Sequence, residues 1–191
     1  MAEETEKKSK RDEPHVPTSR SGKVWEIVKY PDPVLSRVAE TVTVFDDALA
    51  LFVDEMFDSM YIAQGIGLAA PQVGVSKRIT VIDCSFKDDP DAKLVLINPE
   101  VIATEGRQYE EEGCLSLPDI REKVHRATNV TVRAQNVRGE WFEKDGEELL
   151  GRAMQHEIDH LKGVLFIDYM SRLKRELIER KIKKLKKNGE W

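Results

Sequence analysis

Apolar and polar positions alternate in two distinct rhythms from about Val24 onward, and each rhythm predicts a different element. Leu49, Phe52, Val53, Met56, Phe57, Met60 and Tyr61 recur at three- and four-residue spacing behind Asp46 or Asp47. Either aspartate can cap a helix that ends at Gly65. Residues 78–83 and 93–98 are short apolar runs that predict strands, and Asn129–Gln135 alternates Val130, Val132 and Ala134 with polar residues. The stretch 136–140, which contains Gly139, predicts a hairpin turn. Leu149, Leu150, Ala153, Met154, Ile158 and Leu161 mark a helix over 147–162, closed by Gly163 and apolar enough to be buried on most sides. Leu173, Leu177, Ile178, Ile182 and Leu185 form a stripe on a last helix over 171–187. Between Tyr30 and Pro33 two prolines make a turn, and 34–42 predicts a short helix. Strands in the middle with helices at both ends predict an α+β fold: one compact domain with mixed or antiparallel sheets around a buried central helix, plus an amphipathic C-terminal helix.

Length and composition bound this picture. At 191 residues the chain can bury one sizeable core. Residues 1–22 are charged and poor in large apolar side chains, which predicts a flexible extension before a domain over 23–170. No apolar run is long enough to cross a membrane, and charges occupy the place where a secretory signal needs an apolar core, so a cytoplasmic location is expected. The net charge of −5 is unevenly spread. Residues 171–191 hold nine Lys or Arg against three Glu, about +6, leaving about −11 on the rest. That basic helix reads either as a solvated face or as a contact for nucleic-acid phosphates.

Three stretches carry candidate chemistry. His156, Glu157 and His160 form an HExxH motif, in which two imidazoles one helical turn apart converge on a divalent ion beside a carboxylate that can serve as general base. His15 and His125, the other two histidines, sit in polar surroundings that predict surface positions. Two imidazoles leave a catalytic ion short of a ligand. Cys114, in Glu112-Gly113-Cys114-Leu115-Ser116, is either that ligand, held on an irregular loop ended by Pro118, or a buried structural cysteine. Cys84 ends an apolar segment and reads as core filler. The third stretch runs over 65–74, where Gly65, Gly67 and Gly74 allow close approach of backbone to a ligand and Gln72 offers an amide to an oxyanion. By itself it is a weak signal, since such a Gly/Ala-rich connection is more often simply a tight loop.

Taken together, GIGLAAPQVG, EGCLSLP and QHEIDHLKG resemble the three signature motifs of the peptide deformylases, in their usual order, and the likeness extends from about Tyr30 to the last helix. That resemblance implies a metallohydrolase that removes formyl from the N-terminal methionine of new proteins. It implies Cys114, His156 and His160 as ligands of one divalent cation, Fe²⁺ in the cell with Zn²⁺, Ni²⁺ or Co²⁺ able to substitute. It further implies Glu157 as the proton carrier, and the Gln72 side chain with the Leu115 backbone N–H as oxyanion donors. Ile66, Gly67, Glu112 and Gly113 are expected to line the bound peptide, and formyl-methionyl nascent chains, with possible ribosome contact through the basic helix, are the expected partners. Two other classes compete: a general HExxH endopeptidase, which needs a more open cleft, and a binding module with a structural zinc, which needs a fourth protein ligand.

Overall fold

The computed structural model describes residues 14–191. Helix α1 (Asp47–Ile62) begins where Asp46 accepts a hydrogen bond from the Leu49 N–H at 2.9 Å, satisfying one of the donors a helix start leaves open. Strands β1 (Gly67–Ala69), β2 (Ile79–Ile82) and β3 (Leu94–Glu105) follow, then β4 (Gln108–Cys114), β5 (Leu117–Arg126), β6 (Asn129–Gln135) and β7 (Trp141–Glu147). Helix α2 (Glu148–Leu161) and helix α3 (Arg172–Asn188) complete the chain. Five strands form an antiparallel sheet in the order β1-β2-β3-β6-β7, while β4 and β5 make a separate hairpin.

Strand alternation splits the core into two layers. Ile79, Val81 and Ile97 face α1, where they meet Val53, Met56, Phe57 and Met60. Their neighbours Ile82 and Leu96 point the other way, onto Ala153, Met154 and Ile158 of α2. A sheet covered on both faces has no solvent side, which is why β2 is buried at all four positions. A third cluster joins Leu117, Ile120 and Val124 of β5 to Phe166, Ile178 and Ile182, fastening α3 to the hairpin. Helix α2 therefore lies with one side on the sheet and the side that carries His156 and His160 toward the hairpin.

Several expectations change. The helix over 34–42 is only a single 3-10 turn at Pro33–Ser36, capped by Asp32. Beyond it the chain extends through β-branched residues, with the Ala39 N–H donating to Leu161 O and Glu40 bridging to Lys77. Cys114 lies at the end of a strand rather than in a loop, since β4 pairs along its length with β5 and the register shifts between Gly113 and Cys114. Pro118 is accommodated at the second residue of β5. On α3 only Ile178 and Ile182 of the apolar stripe are fully buried, and Leu173 and Leu177 remain exposed. Cys84 packs against the cluster beneath α2.

Residues 14–22, placed by their composition in a flexible extension, pack against the domain. From Pro14 the segment runs along α1, and the buried carboxylate of Asp58 collects the N–H groups of Thr18 and Ser19, at 2.9 and 2.8 Å, with His15 Nε2 at 2.7 Å. Burial would raise that carboxyl's pKa, but these donors win and hold it well below the usual range. Ser21 and the Trp25 indole both donate to Glu55. His15 is thus buried rather than a surface residue, whereas His125 is exposed and stacks on Tyr109. The remainder of the expected extension, residues 1–13, lies outside the described residues.

Candidate active site and metal centre

The ends of two elements meet here. Cys114 closes β4, and His156 and His160 project from one side of α2, since residues four apart lie one above the other on a helix. Cys114 Sγ is 3.3 Å from His160 Nε2, and the two Nε2 atoms are 3.2 Å apart. Metal–sulfur and metal–nitrogen bonds of about 2.3 and 2.0 Å at tetrahedral angles place such donors about 3.5 and 3.3 Å apart. Three donor atoms within 4.8 Å of one another, on residues that are buried or half-buried, suit one cation. Among the described residues they form one three-member group, with no fourth His, Cys, Asp or Glu. The donor set therefore fits a site with a position left for water or substrate.

Glu157 stands beside this triad, 5% exposed, and its Oε2 is buried without a hydrogen-bond partner. Burial disfavours its charged form and lifts its pKa to about 7, against the lowering influence of His156. A carboxyl poised near neutrality can take and return a proton without a large penalty in either direction. Gly67 permits this placement: a Cβ there would lie 2.4 Å from Glu157 Oε1. The Gln72 amide is fixed by accepting the Ala69 N–H at 2.9 Å, so its Nε2 donates toward Cys114 Sγ at 3.4 Å and Ser116 Oγ at 3.2 Å. Leu115 overhangs Gly65 from the opposite wall. These residues open onto a groove of about 680 Å³ whose walls include Ile66, Gly67, Gly113 and Leu149.

The hairpin contributes a second layer that the sequence did not disclose. Glu112, expected along the peptide, is among the residues lining the groove and also turns its carboxylate to α2, where Oε2 lies 3.0 Å from His156 Nδ1. Arg126 grips the same carboxylate through Nε and Nη2 at 2.8 and 3.0 Å and reaches Asp159 Oδ2 through Nη1 at 2.5 Å. Tyr169 donates to that same Asp159 oxygen at 2.8 Å. Burial alone would raise the Glu112 pKa, but the bonds from His156 and Arg126 hold it down at about 2, so it stays ionised and fixes the proton of His156 on Nδ1. The available signal was weak: an Arg in the alternating stretch 120–126 and an Asp inside the HExxH motif.

Comparison with known proteins agrees with this geometry. The sequence model described as polypeptide deformylase matches residues 24–176. A peptide deformylase from Acidobacterium capsulatum is 71% identical over 165 residues, covering 86% of this chain and 97% of that protein. One from Thermodesulfovibrio yellowstonii is 48% identical over 84% of this chain and 97% of its own length. Among solved structures, a peptide deformylase from Legionella pneumophila superposes with a TM-score of 0.82 at 44% identity, covering 87% of this chain and 98% of that one. A likeness that spans the five-stranded sheet, the hairpin and α2, together with a converging Cys-His-His set, places this chain in the polypeptide deformylase family.

Proposed function

We propose that Glu157 is the catalytic base of a metal-dependent peptide deformylase, an enzyme that hydrolyses the formyl–nitrogen bond of N-formylmethionyl peptides and releases formate. One observation carries the residue assignment: a buried carboxylate without a protein partner faces three converging metal donors. Cys114, His156 and His160 would hold a divalent cation, which would supply Lewis acidity to lower the pKa of a water and offset charge on the carbonyl oxygen. Glu157 takes the proton of the attacking water and returns it to the amide nitrogen, so that the C–N bond breaks to a neutral amine. Gln72 Nε2 and the Leu115 N–H donate to the carbonyl oxygen as it gains charge, the kind of contact worth about 3 kcal/mol when one donor is removed. Ile66 and Gly67 sit by the outer edge of the sheet, where β1 has one strand neighbour, and this supports pairing with an extended peptide.

Two imidazoles and a thiolate accept Fe²⁺, Zn²⁺, Ni²⁺ or Co²⁺. Fe²⁺ is the reading taken here, on the family likeness. Purified without oxygen, the protein should release formate from formyl-Met-Ala-Ser, lose that activity to a chelator and regain it with Fe²⁺ or Ni²⁺. Formate release that survives complete metal removal would refute the assignment. The endopeptidase reading is disfavoured by Leu115 and the Gly65–Gly67 backbone closing on the site, and a structural zinc by the three-member donor set.

Among the described residues no helix is long and apolar enough to cross a membrane. We infer a cytoplasmic enzyme that meets its substrates at the ribosome, with the cationic side of α3 against RNA phosphates. Exposed Lys183, Lys184 and Lys187 support this, and because Ile178 and Ile182 anchor α3 in the core, charge reversal tests it more cleanly than truncation. Replacing the three lysines with Glu should weaken ribosome binding severalfold or more and leave free-peptide turnover unchanged. Unaltered ribosome affinity would remove RNA contact from α3.

A further inference from the structure

Arg152 is the third member of a row on α2 in which His160, His156 and Arg152 follow one another at four-residue spacing. It lies about 6 Å along the helix axis from His156, on the wall of the substrate groove. Ile66, Leu149 and Ala153, the last two its near neighbours on the same helix, line the same groove and give this part of it apolar surface. The guanidinium is only half buried and poorly matched. Its Nη1 donates to the neutral amide oxygen of Gln108 at 3.4 Å, and no ion pair joins it to a described carboxylate. Arg126, by contrast, meets two carboxylates through three nitrogens. An arginine with unused donors beside apolar groove surface is a recognition group for an acceptor at the tip of an otherwise apolar side chain.

Resting on the site assignment above, we propose that Arg152 determines specificity for the first side chain and extends deformylation to peptides that begin with methionine sulfoxide. A peptide whose formyl carbon sits at the three donors can lay its first side chain along α2. An unbranched methionine then brings its sulfur to the level of Arg152. Oxidation turns that sulfur into a dipolar acceptor. A wholly apolar pocket would strip water from the S=O group and return nothing, whereas the guanidinium replaces the lost hydration with a charge-assisted hydrogen bond. The bond cleaved and the products are otherwise those of the ordinary reaction.

The test compares kcat/KM for formyl-Met-Ala-Ser and its sulfoxide in the wild-type protein and in Arg152→Leu, both loaded with Ni²⁺. Discrimination against the sulfoxide should rise at least tenfold in Arg152→Leu, chiefly through KM, and Arg152→Lys should recover part of it. In metal-free protein, the affinity for the product peptide with sulfoxide should fall relative to the thioether product by a similar factor. A change in discrimination below tenfold overturns the proposal, because Arg152 would then not touch the side chain. Failure of the wild-type protein to turn over formyl-Met-Ala-Ser would instead count against the deformylase assignment.

Discussion

Replacing Glu157 with Gln should lower kcat for formyl-peptide hydrolysis by about two to four orders of magnitude and leave the bound metal in place. The carboxyl is not among the converging donors, so its loss removes a proton carrier and no ligand. Gln is nearly isosteric and keeps contact with Gly67, which separates chemistry from packing. Stability should move the other way. A carboxyl whose pKa rises from 4.5 unfolded to about 7 folded binds a proton more tightly in the native state. That contribution is fully present below pH 4.5 and is lost as pH climbs through 7. Above pH 7 the metal-free wild-type protein therefore bears a penalty of about 3 kcal/mol that the Gln variant lacks. Urea unfolding of both metal-free proteins at pH 5 and pH 8 reads this directly. Near-normal turnover by the variant would eliminate Glu157 as base, and equal stability at both pH values would show that burial does not hold its proton.

The same contrast between charge and burial explains what the sequence could disclose. Helices α1, α2 and α3 were legible because their apolar residues repeat at helical spacing, and β6 because Val130, Val132 and Ala134 alternate. The β4–β5 hairpin was not, since β4 presents exposed Glu110 and Glu111 and a Gly113 where a buried strand would show apolar residues. Its stability comes from β5, which sends Ile120 and Val124 to a core built largely by α3 and the turn at Phe166. The role of Glu112 depended on that hairpin. Its register carries Arg126 back beside the motif helix, so two residues 14 apart in sequence share a buried ion pair. No local pattern encodes that meeting. His15 was misjudged for a related reason, because the carboxylate that buries it belongs to a helix 43 residues away.

Arg126→Met should be the most damaging substitution away from the groove, with two separable consequences. The first is stability: Glu112 and Asp159 would remain buried without their shared cation, and breaking such a pair typically costs about 3–5 kcal/mol. The second is metal affinity. Glu112 holds His156 Nδ1 only while ionised, and its low pKa depends on Arg126 as well as on His156. Without the guanidinium the carboxyl takes up a proton more readily and its grip on the imidazole slackens, so metal affinity should fall about 10- to 100-fold, as for other outer partners of a ligating histidine. Tyr169→Phe removes one donor from Asp159, leaves both ions of the Glu112 pair intact and should cost affinity much less. Competition with a chelator measures the affinities, and urea unfolding of the metal-free proteins measures the stabilities. If Arg126→Met loses stability yet binds metal as tightly as wild type, the network braces the hairpin against α2 without orienting His156, and the grip on the ligand must come from the helix alone.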